Sequence, residues 1–108
     1  MSRELWSRGE LLVCLAFYSA SPYPKNFSRE LVIEIAKILR NRTPSSISIR
    51  LANFTARDPQ MKMLGHSGMY GGGQKVDNLW SEFLDCQGHL SQTKVLLGVF
   101  QSVDVDAL

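Results

Sequence analysis

Ser46, Arg50, Asn53 and Arg57 stand at i, i+4, i+7 and i+11, a spacing that gathers all four on one face of a helix. A short hydroxyl, guanidinium groups and a carboxamide are what reaches phosphates and base edges in a major groove, and Arg and Asn can each make bidentate contacts to a base. Ser45 adds a second hydroxyl at the start of this segment, and Arg40 and Arg42 precede it at a position suited to backbone phosphates. The predicted contacts are therefore Arg40, Arg42, Ser45, Ser46, Arg50, Asn53 and Arg57. The same residues also fit a small helical bundle that turns an ordinary polar face to solvent.

Elsewhere the chain offers no catalytic constellation. The cluster Gly71-Gly72-Gly73-Gln74-Lys75 lacks the spacing of a P-loop and follows no strand, so it reads as a flexible loop. His66 and His89 have no acidic or cysteine partners at ligand spacing and read as surface or loop histidines. Ser45 and Ser46 have no candidate base and suit a helix start better than nucleophilic attack. Cys14 falls within an amphipathic stretch and reads as a small core residue. With Cys86 it makes neither a disulfide framework nor a zinc site. The expectation is a protein with no catalytic residues, no metal and no cofactor.

These groups need helices to position them, and the helix signals come with caps. Ser7 and Glu10 form a capping box, with Trp6 and Leu11 spaced as a hydrophobic staple. Leu11, Leu15 and Tyr18 then predict a helix over about 8–20, stopped by Ser21-Pro22-Tyr23-Pro24. Ser28 opens a second helix with the stripe Leu31, Ile35, Ile38 and Leu39. Only Arg40, Asn41, Arg42 and Thr43 separate it from a third, where Thr43 is the N-cap and Pro44 the first helical residue. Ile47, Leu51 and Phe54 carry the apolar stripe until Asp58-Pro59 closes that helix. So short a connection is that of a helix-turn-helix over residues 28–57.

Residues 60–75 read as a loop. A fourth helix carries Leu79, Trp80, Phe83 and Leu84 and fails near Gly88. The run Val95 to Phe100 fits either a short helix or a buried strand.

Size and charge agree with a single binding module. At 108 residues, 44% of them apolar and 20% charged, the chain suits one soluble domain rather than a disordered segment. No apolar stretch approaches the roughly 20 residues of a membrane span. Charges at Arg3, Glu4, Arg8 and Glu10 argue against a signal peptide, and the expected location is cytoplasmic. Residues 25–62 carry a net +5, whereas residues from 76 onward carry −4. Such a split suggests one face built for an anion.

A resemblance rests on particular residues. They are Trp6-Ser7-Arg8, Glu10-Leu11-Leu12, Tyr18, Pro22 to Pro24, Ile35-Ala36, the run Arg42 to Phe54 beginning Arg-Thr-Pro-Ser-Ser, Asp58-Pro59, Gly65, Gly68, Trp80 and Glu82-Phe83. Together they resemble the N-terminal region of bacterial HNH-type restriction endonucleases, where a small helical module precedes the nuclease. The resemblance covers about residues 6–84 and implies a part in DNA binding, within restriction-modification or defence. The sequence has no His-Asn-His arrangement, so the resemblance implies the binding module without the catalyst. A looser similarity to the Myb/SANT three-helix type points the same way.

The predicted fold is all-α, a bundle of four to five short helices around the helix-turn-helix. Residues 1–88 would form the domain and 89–108 a tail, as a short helix or partly disordered. Double-stranded DNA is the expected partner. The alternative is a protein-interaction module that docks on a nuclease or another protein subunit through Trp80, Phe83 and the apolar tail.

Overall fold

The Ser7 hydroxyl accepts from the Glu10 amide at 3.1 Å, and the Glu10 carboxylate accepts from the Ser7 amide at 2.9 Å. This reciprocal cap starts α1 (Arg8–Ala20) in the computed structural model, which describes residues 5–102. Five further helices follow among those residues: α2 (Arg29–Ile38), α3 (Pro44–Arg57), α4 (Pro59–Met63), α5 (Gly73–Glu82) and α6 (Gln92–Ser102). No strand occurs among the described residues; Leu84 and Leu90 form one isolated antiparallel bridge.

Local chemistry explains most of the boundaries. The Ser28 hydroxyl accepts from the Leu31 amide and the Thr43 hydroxyl from the Ser46 amide, as N-caps should. Asp58 both ends α3 and starts α4, because Oδ1 accepts from the Gln60 amide at 3.0 Å and Pro59 needs no amide partner at its position. This short α4 lies where the sequence suggested only loop. The glycine cluster is likewise partly helical: Gly72, with φ of 88°, is the N-cap of α5, and Gly73 is its first residue.

The described residues thus form six helices rather than four or five. α1 is the central element, packing against α3, α5 and α6, while α2 packs on α3. Leu11, Leu15, Tyr18, Ile35, Ile47 and Phe54 are fully enclosed in this core. Val95 of α6 is enclosed in it too, and Gly98 lets the Phe83 ring lie against the α6 backbone. Residues 92–102 therefore take the helical alternative and complete the core. The segment 103–108 of the expected tail lies outside the described residues. No helix among the described residues is long and apolar enough to cross a membrane.

Trp80 and Phe83 are 6% and 5% exposed. They belong to the core, with Trp80 edge-on to Tyr18 and stacked with Phe54, and so are not free to dock a partner. Cys14 is also enclosed, and burial pushes its thiol up to about 12, which keeps it protonated and inert.

Candidate nucleic-acid interface

The face of α3 that carries Ser46, Arg50, Asn53 and Arg57 is not the one turned to solvent. Residues 65–72 fold back over it, and backbone geometry shows how closely. The Met69 amide donates to the Ala52 carbonyl at 3.1 Å, and the Asn53 side chain donates to the Met69 carbonyl at 2.6 Å. Asn53 is 1% exposed, so its carboxamide is occupied in holding this loop. Arg57 donates to Asp77 Oδ1 at 2.7 Å and to the Asn53 carbonyl at 2.9 Å, with its guanidinium over the Tyr70 ring. Its side chain is 7% exposed. Neither group is presented to a groove.

Arg50 and Arg42 share a different neighbour. Their guanidinium carbons lie 5.4 Å and 4.7 Å from the centre of the Trp6 ring, on the side of α3 next to α1. Arg50 donates to Asn53 Oδ1. Arg42 grips the Glu10 carboxylate through both Nε and Nη2 at 2.8 Å, and Nη2 also reaches the Leu5 carbonyl. The cation expected on a phosphate is thus anchored inside the protein. This pair has a consequence for pH. The Arg42 hydrogen bonds, with the Ser7 amide, hold the Glu10 carboxyl at about 2.

A carboxyl with a depressed folded pKa adds stability above its unfolded value, and that stability is lost as pH falls through the folded one. We therefore expect unfolding free energy to drop between about pH 4.5 and pH 2, with up to about 3 kcal/mol of the loss due to Glu10. Urea unfolding at pH 6 and pH 2.5 checks this. Glu10→Gln should be destabilised at pH 6 and show a shallower pH dependence.

What stays open is the first half of α3 and the turn before it. Ser45, Ser48 and Ile49 are exposed, Ala52 is partly so, and Arg40 in the turn is exposed too. Ser46 is half-buried and returns its hydroxyl proton to the Thr43 carbonyl. Ser45 and Ser48 line a shallow cleft of about 260 Å³ together with Phe27 and Arg29. A neighbouring cleft of about 280 Å³ continues past Ser48 to Asn26 and His66.

Arg29, Ser48 and Ile49, exposed here, are not part of the sequence pattern. Arg29 belongs to α2, Ser48 lies on the far side of α3 from Ser46 and Arg50, and Ile49 borders the Ser46 and Asn53 face, three and four residues from them. Among the described residues no group of three or more His, Cys, Asp and Glu side chains converges as a metal site requires.

Compared with known protein families, curated proteins and solved structures, the chain matches none of them. The resemblance to the restriction-endonuclease module therefore stands on its motif residues alone. Several of those have structural work to do here: Trp6 lies beneath two guanidinium groups, Arg42 holds Glu10, and Asp58 joins α3 to α4.

Proposed function

We propose that this chain is a duplex-DNA-binding module in which α2, its turn and α3 act as a helix-turn-helix. The observation that carries the reading is the exposure of Pro44, Ser45, Ser48 and Ile49 at the start of α3, flanked by Arg29 and Arg40, which have no internal partner among the described residues. In helix-turn-helix proteins it is the first residues of the recognition helix that meet base edges. Ser45 and Ser48 would contact base edges, and Ile49 is suited to a thymine methyl group. Arg29 and Arg40 flank that surface and would position it on the two backbones. The positive end of α3 favours the same approach.

The reading changes which residues touch DNA. Arg40 and Ser45 remain from the sequence pattern, and Arg29, Ser48 and Ile49 join them. Arg42, Asn53 and Arg57 instead hold the scaffold. The module binds and does not cut, in keeping with the accessory region it resembles in restriction enzymes.

A labelled duplex titrated at 50 and 200 mM salt tests the proposal. Affinity should fall with salt by about 0.9 log unit per log unit of salt for each phosphate contact. The Arg29→Gln, Arg40→Gln double variant should flatten that slope by about two contacts, and Ser48→Glu should abolish binding by placing a carboxylate against the groove. Binding that is absent at low salt, or indifferent to salt, would reject the reading. It would favour the protein-interaction alternative, whose remaining exposed apolar residues are Leu96, Leu97 and Phe100 on α6.

A further inference from the structure

On the opposite side of α3 from Ser48, a cleft of about 360 Å³ opens between α3, the start of α5 and the Trp6 segment. Trp6, Arg50, Gly72, Gln74 and Lys75 line it, over an apolar floor that includes Leu11. Its charges do not balance. Arg42, next to the cleft, is neutralised by Glu10. Among the described residues Arg50 has the neutral Asn53 oxygen and the Trp6 ring, and the Lys75 ammonium has the Trp6 carbonyl, at 2.8 Å. Neither cation meets a carboxylate among the described residues. Desolvation lowers the Arg50 pKa and nearby Arg42 adds like-charge repulsion, so the guanidinium pays for its place without an ion pair.

We propose that this cleft binds a phosphate group carried by a small molecule, with Arg50 and Lys75 as its cationic ligands. A guanidinium offers a planar pair of donors to phosphate oxygens, and a lysine adds a mobile point charge. The first turn of α5 borders the same space. Its N-cap, Gly72, supplies no side-chain acceptor, leaving backbone donors of that turn available to an anion. The volume exceeds what phosphate alone fills, and Trp6 and the exposed Leu5 provide apolar surface for an organic substituent. A small molecule is the source because Arg50 lies about 200° around the helix from Ser48, away from the surface proposed for DNA. The cleft itself does not depend on the DNA reading.

Inorganic phosphate titrated into the full chain, with chloride at matched ionic strength as control, provides the test. By NMR, the Trp6 indole and the Gly72, Gln74 and Lys75 amides should shift saturably with phosphate and not with chloride. Arg50→Gln and Lys75→Gln should each weaken phosphate at least about fivefold, as loss of a charge-assisted contact requires. Lys75 is exposed, so its variant reports on binding even where Arg50→Gln perturbs folding. Equal shifts with chloride, or parental affinity in the Lys75 variant, would overturn the site. A short duplex added to the phosphate-loaded protein should leave these signals in place; displacement of the phosphate would overturn the small-molecule source.

Discussion

Replacing Asp58 with alanine should lower the unfolding free energy by about 3–5 kcal/mol, enough to threaten a domain of this size. Asp58 is 2% exposed, and its carboxylate is used on both oxygens. Oδ2 accepts from the Tyr18 and Tyr23 hydroxyls, each at 2.7 Å, and Oδ1 accepts from the Gln60 amide. Burial, reinforced by these bonds to Asp58, raises both tyrosine pKa values, so the phenols remain donors. The Lys25 ammonium sits 4.9 Å and 4.3 Å from the same two rings and donates to the Tyr18 and Ser21 carbonyls. Desolvation lowers its pKa, while the Asp58 charge works against that shift.

The alanine variant therefore strands a buried phenol, uncaps α4 and leaves a buried cation without its compensating charge. Asp58→Asn keeps an acceptor for the cap but loses the charge, and its cost should fall between alanine and the parent. Tyr23→Phe removes one bond from a half-exposed ring and should cost under about 1 kcal/mol. Urea unfolding of the three variants gives the order. A loss within about 1 kcal/mol for Asp58→Ala would show that the cluster is not what joins the end of α1 to the α3–α4 corner.

That cluster also marks how far the sequence could be read. Asp58-Pro59 was legible as the end of a helix, because proline cannot continue the ladder and aspartate caps well. The same two residues are an equally good helix start, and α4 follows. Nothing in their spacing announces that Tyr18 and Tyr23, 40 and 35 residues away, donate to the same carboxylate oxygen. The caps of α1, α2 and α3 were legible for the opposite reason: each is a bond between residues three apart. Helical phase explains the site in the same terms. Periodicity separates an apolar stripe from the remainder, and it correctly put Ile47, Leu51 and Phe54 inside. It cannot divide the polar remainder into a flank packed by a loop and a face left open. The carboxamide that would suit Asn53 to reading a base is the same group that bonds it to the covering loop.

The covering loop itself sets up the second large effect, Gly68→Ala, with Gly65→Ala as its reference. Both glycines have positive φ, 61° and 88°, so alanine at either pays a backbone cost of roughly 1–2 kcal/mol. Their surroundings differ. A Cβ at Gly65 would meet nothing within 4 Å, whereas one at Gly68 would lie 2.6 Å from the Ala52 carbonyl oxygen and from the Ala56 amide nitrogen. Those atoms belong to the α3 backbone and cannot swing aside as a side-chain tip would. The loop must lift, breaking the Met69–Ala52 and Asn53–Met69 bonds and baring Asn53 and Arg57. Gly68→Ala should consequently cost about 2–4 kcal/mol more than Gly65→Ala in urea unfolding. Amide exchange should accelerate at Met69, the loop amide that donates to α3. Duplex titration of the same variant separates the two faces of α3. If the open face over Pro44 to Ile49 binds, a folded Gly68→Ala protein retains most of its affinity, since of the proposed contacts only Ser48 shares a cleft with the loop. If affinity instead rises steeply once Asn53 and Arg57 are bared, the covered face is the one that meets DNA, and the loop is its guard.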